Sequence, residues 1–176
     1  MATRGGVDSF DPALFAETRK RAGMTQADVA ARVLASTNPE SPAVAGASGG
    51  AGLRKAARDL ENVRLQVNDY ENGSFVPRPP MLRALADALD VDAFELLRPD
   101  TTVTLSLARV RRGLLQSDVA PRLSCSREQL SKVERGLATL SDADRAALAT
   151  ALDLTEAELA EAMSESATVA DVLASR

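Results

Sequence analysis

The chain contains one stretch of sequence twice, with small differences between the copies. Residues 19–33 read RKRAGMTQADVAARV, and residues 109–123 read RVRRGLLQSDVAPRL, at an offset of 90 residues. A second match, at an offset of 63, aligns YENG at residues 70–73 with VERG at residues 133–136. The offsets differ by 27 residues, so the first copy carries an insertion of that length. The sequence therefore predicts two tandem copies of one module.

The spacing of apolar residues predicts that both copies are helical. Leu82, Leu85 and Leu89, for example, recur at intervals of three and four, which is typical of a helix with one buried face. Alternation of β-branched residues, the mark of a half-buried strand, is absent. We therefore expect an all-α protein.

The domain boundaries follow from the repeat. The first domain is expected at residues 10–98 and the second at residues 101–176, the latter with a C-terminal helical extension. Residues 36–52 are rich in Ser, Gly, Ala and Pro. Such a stretch buries little surface, so it predicts a flexible insertion at about residues 36–52 in the first domain.

Helix-capping residues place a helix-turn-helix in the second copy. Ser126 is a natural N-cap for a helix over Arg127–Glu134, which Gly136 ends. The preceding helix is expected over Gln116–Leu123. A separation of about three residues between two such helices is the spacing of a helix-turn-helix. In the first copy, Thr25 is positioned to cap the matching helix.

Together these residues resemble the phage-repressor-like (Xre/Cro) helix-turn-helix family over residues 14–97 and 104–163. The resemblance rests on G-x-x-Q-x-x-x-A in each copy (Gly23, Gln26, Ala30; Gly113, Gln116, Ala120), on YENG, and on the closing LADALDVDAFELL. It implies two tandem lambda-repressor-like helix-turn-helix domains, the first with a long insertion between helices 2 and 3. It also implies a structural ion pair in each copy, Arg19 with Glu71 and Arg109 with Glu134.

The function that the resemblance implies is sequence-specific binding of double-stranded DNA by a bacterial transcriptional regulator. The recognition helix of each copy would enter the major groove, where Arg127 suits guanine and Glu128 suits cytosine. The candidate DNA-binding residues are Gln26, Arg54, Lys55, Arg58, Arg64, Gln66, Asn68, Asn72, Arg78, Gln116, Arg127, Glu128, Gln129, Lys132 and Arg135. The two glutamines Gln26 and Gln116 would contact phosphates.

Both copies depart from the family pattern. The apolar spacing from Leu53 onward predicts that the first recognition helix is extended backward by two or three turns. This extension would lie near the duplex, collide with the DNA backbone or pack against a partner chain. In the second copy, Leu115 replaces the capping Thr25, and Pro121 lies inside the second helix. Acidic Asp69 and Glu128 repel phosphate unless they are paired. Loss of DNA binding by one copy is therefore an open alternative.

The last residues predict a partner. Leu159, Met163, Val169, Val172 and Leu173 form an apolar stripe that either closes the second core or forms a homodimer contact. A dimer would bind a palindromic operator with half-sites about one helical turn apart. Alternatively, one tandem chain covers both half-sites.

Composition excludes several function classes. The chain has no His and a single Cys125, so zinc sites and His-based catalysis are excluded. We expect no enzyme activity and no cofactor or metal. No apolar run approaches the length of a membrane span, and the N-terminus lacks an apolar signal core, so a cytoplasmic, nucleoid-associated protein is expected.

The net charge of −4 hides an uneven distribution. Residues 19–83 contain ten basic and six acidic residues, and residues 101–136 contain seven and three, whereas residues 137–176 contain two and eight. The helix-turn-helix segments are thus positive, which is compatible with DNA. Since fold alone does not settle function, the alternative is a protein-interaction module, an antitoxin or adaptor, with DNA binding lost in one or both copies.

Overall fold

The computed structural model describes residues 6–41 and 49–175. Within these ranges the chain forms helices and turns and no β-strand, with one isolated bridge between Phe10 and Leu97. The prediction of an all-α fold is confirmed. The chain divides into two compact units, Met1–Pro99 (the N-terminal unit) and Asp100–Arg176 (the C-terminal unit).

The N-terminal unit is built from four α-helices and a short 3₁₀ helix among its described residues. They are α1 (Pro12–Arg21), α2 (Gln26–Thr37), α3 (Gly50–Glu71), α4 (Pro79–Leu89) and the 3₁₀ helix Ala93–Leu96. Thr25 caps α2, since its hydroxyl accepts a 3.1 Å hydrogen bond from the Asp28 N–H while the Asp28 carboxylate accepts from the Thr25 N–H. The fully buried core residues include Phe15, Val29, Val33, Val67, Leu82, Leu85 and Leu96.

Helix α3 is a single helix of 22 residues. It begins at Gly50, one turn before the Leu53 start that the apolar spacing predicted. Helix α2 also extends to Thr37, so the segment predicted to be flexible at about residues 36–52 is helical at both ends. Residues 42–48, the middle of that segment, lie outside the described residues. Before them, Ser41 is buried and its hydroxyl donates to the Asp59 carboxylate at 2.8 Å.

The C-terminal unit contains five α-helices and a 3₁₀ turn in its described part. They are α5 (Leu105–Arg111), α6 (Gln116–Val119), the 3₁₀ turn Ala120–Arg122, α7 (Arg127–Glu134), α8 (Asp142–Leu152) and α9 (Glu156–Ala174). Their apolar faces form one core, which includes Leu105, Val119, Leu130, Val133, Leu148, Leu152 and Leu159.

The helix expected over Gln116–Leu123 is shorter than predicted. Its α-helical part ends at Val119, and the chain continues as a 3₁₀ turn through Arg122. Pro121 explains the change, because proline has no N–H to donate to the carbonyl four residues earlier. At the start of α6, Leu115 has no side-chain acceptor, and only the Asp118 carboxylate supports this end by accepting from the Leu115 N–H at 2.7 Å.

The C-terminal stripe divides into two parts. Leu159 is fully buried and Met163 packs against the core, and buried Ser166 accepts a 3.0 Å hydrogen bond from the Leu105 N–H. The inner turns of α9 therefore close the core. Val169 and Val172 remain 37% and 50% exposed, and the side chain of Leu173 lies outside the described residues.

Local backbone features recur in the two units at the offset of 63. Asp90 and Asp153 end α4 and α8 in the left-handed conformation, with φ of 58° and 51°. Gly73 and Gly136 follow α3 and α7 with φ of 68° and 71°. The structure thus repeats the same helix ends that the sequence repeats.

Candidate nucleic-acid interface

A buried ion pair joins the first and third α-helices of the C-terminal unit. Arg109 on α5 donates from Nε to Glu134 Oε1 at 2.5 Å and from Nη2 to Oε2 at 3.0 Å, and Glu134 is the last residue of α7. The two side chains are only 8% and 4% exposed. Arg109 also donates to the Leu114 carbonyl at 2.6 Å. One guanidinium therefore orients α7 and holds the turn before α6.

The N-terminal unit contains the same arrangement. Arg19 on α1 donates from Nε and Nη2 to the two carboxylate oxygens of Glu71, and from Nη1 to the Met24 carbonyl at 2.7 Å. Burial acts to raise the pKa of the Glu71 carboxyl, but hydrogen bonds from Arg19 and Gln26 outweigh it and hold that pKa below its ordinary value. Glu71 therefore remains ionised in the pair.

A glutamine completes each network. Gln116 Nε2 donates to Glu134 Oε2 at 2.9 Å, and Gln26 Nε2 donates to Glu71 Oε2 at 2.8 Å. The family resemblance implied that both glutamines contact phosphates. In the structure they join the N-terminus of the second helix to the end of the third, so each amide has an internal partner, and Gln26 Nε2 also donates to Asn68 Oδ1 at 3.5 Å.

Helix α7 presents an exposed, mostly basic face. Ser126 caps the helix, because its hydroxyl accepts from the Gln129 N–H at 3.1 Å. The Arg127 side chain has no hydrogen bond or ion pair to any described residue, and Lys132 pairs with Glu128 at 3.1 Å in an exposed i, i+4 contact. Such exposed pairs are weak and exchange readily for another partner. The exposed polar residues of α7 and the residue after it are Arg127, Glu128, Gln129, Lys132 and Arg135.

The matching face of α3 is different. Arg64, which aligns with Arg127, donates to both carboxylate oxygens of Glu61 at 2.8 and 2.7 Å. Leu65 aligns with Glu128 and is 46% exposed, and acidic Asp69 aligns with Lys132. Of the other predicted contacts, Gln66 and Asn72 are exposed and Asn68 is half-buried.

The remaining predicted contacts lie away from this face or before the next helix. Arg54, Lys55 and Arg58 are exposed on the early turns of α3, and Lys55 pairs with Asp59 at 2.9 Å. Arg78 is exposed immediately before α4 and lines a groove of about 390 Å³ together with Phe75 and Met81.

Two residues that sequence analysis did not identify affect these surfaces. Glu61 accepts both hydrogen bonds from the Arg64 guanidinium. The i, i+3 spacing of the two residues on one helix is the sequence signal that could have predicted this pair. Arg112 donates to the carbonyls of Leu152 and Asp153 at 2.8 and 2.9 Å and so holds the end of α8. Those partners are forty residues away, and no local pattern points to them.

Two features are absent from residues 6–41 and 49–175. No group of three or more His, Cys, Asp or Glu side chains is placed to hold a metal ion there. No helix among them combines the length and apolar character that crossing a membrane requires.

Comparison with known proteins identifies one part of the chain. No curated protein and no solved structure matches the chain. Residues 103–162, about a third of the chain, match the family model described as a helix-turn-helix domain. The match covers α5 to α8 and the start of α9, and it supports a helix-turn-helix DNA-binding fold and a DNA-binding regulator in general terms.

Proposed function

We propose that the protein is a sequence-specific transcriptional regulator of the phage-repressor-like (Xre/Cro) type that reads double-stranded DNA in the major groove. The observation that carries the proposal is the basic face of α7, which lies inside the range that matches a helix-turn-helix domain. A buried ion pair orients this helix from behind. Arg127, Lys132 and Arg135 then face solvent, available to phosphates and base edges.

We infer that residues 10–98 and 101–176 are tandem lambda-repressor-like domains. The repeated Arg–Glu–Gln network supports this, because three side chains on three different helices meet in the same way in both units. The protein would act inside a bacterial cell in association with the nucleoid. Helix-turn-helix domains are not usually enzymes, and we assign no catalytic residue.

Salt dependence of DNA binding tests the proposed function. Duplex fragments retained from a random pool by the full chain provide the operator, and affinity is then measured from 50 to 200 mM salt. A dimer that neutralises about six phosphates is expected to lose about a thousandfold in affinity over this range, because counterions are released on binding. A chain that retains no duplex, or whose affinity does not change with salt, contradicts the proposal.

A second candidate function is a protein-interaction module, an antitoxin or adaptor. The observation that favours it is the exposed apolar surface of the N-terminal unit, where Leu65 and Phe75 are 46% and 54% exposed. This function requires no DNA binding, so the same salt experiment separates the two.

We also propose that two chains form a homodimer through a contact on the C-terminal unit, and that this homodimer binds a palindromic operator. Leu137, Val169 and Val172 are 61%, 37% and 50% exposed, and a groove of about 410 Å³ lies between Leu137 and Val169. Leu137 and Val169 line this groove, and Val172 lies one turn after Val169 on α9. Exposed apolar patches mark association sites.

Size-exclusion chromatography with light scattering, on the full chain at micromolar concentration, tests the dimer. The unchanged protein is expected to have the mass of a dimer and Val172→Glu that of a monomer, because a carboxylate buried in the contact loses its hydration. Leu53→Glu, at an exposed leucine of the N-terminal unit, is the matched control and should stay dimeric. A monomeric unchanged protein refutes the homodimer.

A further inference from the structure

The two units differ most at the helix that would read DNA. Helix α7 begins at Arg127, so its first residues are free to approach base edges, as the first residues of a recognition helix do. In α3 the matching residue, Arg64, lies in the middle of the helix, because α3 begins at Gly50. The helix therefore continues for about 20 Å beyond the end that would enter a groove, at 1.5 Å per residue.

This extension is incompatible with major-groove docking of the usual kind. A helix that enters with its N-terminal residues has base pairs and the opposite backbone in front of it, in a groove about 12 Å wide and 8.5 Å deep. About 20 Å of additional helix in that direction has no space. The N-terminal unit therefore lacks the free helix end that the C-terminal unit has.

The charges on the two faces lead to the same conclusion. At two aligned positions the C-terminal unit has basic Lys132 and Arg135, whereas the N-terminal unit has acidic Asp69 and neutral Asn72. Arg64 is held by both oxygens of Glu61 and lies within 3.5 Å of the Gln26 side-chain oxygen. Arg127 has no carboxylate one turn earlier, since Ser124 stands at that position. Of the two aligned arginines, Arg127 has no partner among the described residues, and its neighbour Lys132 has only an exposed pair with Glu128.

We infer that base reading belongs to the C-terminal unit, through Arg127 and Lys132, and that the matching face of the N-terminal unit does not contact bases. This inference rests on the proposed DNA-binding function and names which of the two repeats carries it. Arg64 and Asp69 then lie on a surface that does not contact the bases of the operator.

Matched substitutions in the full chain test the assignment. Arg127→Ala is expected to weaken binding to the selected operator by about 5- to 150-fold and to relax the base preference at one position. Lys132→Ala should weaken binding to all sequences and reduce the salt slope by about one. Arg64→Ala and Asp69→Ala, at the aligned positions, should leave affinity within about twofold and base preference unchanged.

The outcomes distinguish the inference from the proposed function. A loss of fivefold or more with Arg64→Ala, or unchanged binding with Arg127→Ala, overturns the assignment while DNA binding itself stands. An unchanged chain that binds no duplex overturns both. Circular dichroism confirms that each variant is folded, and Arg127→Lys, which keeps the charge but not the paired hydrogen bonds to guanine, replaces Arg127→Ala if that variant is unfolded.

Discussion

Replacing Arg109 with methionine is expected to lower the free energy of unfolding of the C-terminal unit by about 3–5 kcal/mol. The substitution removes the cation that faces Glu134, whose side chain is 4% exposed. It leaves a buried carboxylate without its charged partner and frees the Leu114 carbonyl. Leaving one buried charge without its partner costs much more free energy than the intact ion pair contributes to stability.

The measurement is urea unfolding of the full chain followed by circular dichroism. Amide hydrogen exchange in α5 and α7 assigns the change to the C-terminal unit. Lys132→Met, which removes an exposed partner of Glu128, is the control and should change stability by less than about 1 kcal/mol. The double variant Arg109→Met, Glu134→Met removes both charges and is expected to recover at least half of the loss. A loss below about 1 kcal/mol in the single variant would show that the pair does not hold α7.

Replacing Gly136 with alanine is expected to destabilise the C-terminal unit by about 2–5 kcal/mol, the sum of left-handed backbone strain and overpacking. Gly136 has φ of 71°. A methyl group on its Cα would lie 2.5 Å from the Ala167 Cα and 2.7 Å from the Ser166 carbonyl oxygen. These are backbone atoms of α9, so they cannot rotate away as a flexible side chain does.

Gly73→Ala, at the aligned position, is the matched control. Gly73 has nearly the same φ, 68°, but its added methyl group would lie 3.5 Å from Pro12 Cγ, an ordinary contact. We expect a cost of only about 1–2 kcal/mol there, from backbone strain alone. Both variants are measured by urea unfolding of the full chain, with hydrogen exchange reporting on each unit. Equal losses would mean that α9 moves aside and that its packing on Gly136 is not rigid.

Much of the fold could be predicted because its determinants are local. Thr25, Ser126 and the glycines after the third helix act on the nearest turn, so the helix boundaries at Arg127–Glu134 followed from the sequence directly. Pro121 was recognised inside the helix predicted over Gln116–Leu123, but only the structure shows that the α-helix ends at Val119 and that a 3₁₀ turn follows over Ala120–Arg122. The insertion was harder, because a composition rich in Gly and Ala did not reveal that α3 begins at Gly50.

The candidate interface was only partly predictable. The pairing of Arg19 with Glu71 and of Arg109 with Glu134 came from the family resemblance, and the structure contains both pairs. That resemblance also assigned Gln26 and Gln116 to DNA. Their amides instead donate to the same two glutamates, and the bonded residues lie 45 residues apart for Gln26 and Glu71 and 18 residues apart for Gln116 and Glu134. No pattern within one helix reports such a contact.

The sequence by itself determined the repeat, the all-α fold and the positive charge of the two helix-turn-helix segments, since composition, periodicity and capping act over a few residues. Only the tertiary structure decided which distant groups meet. Gln26 and Gln116 donate to Glu71 and Glu134, which lie 45 and 18 residues further along the chain, and a methyl group on Gly136 would meet the backbone of α9 at Ala167. These contacts join residues that folding, rather than sequence order, brings next to each other.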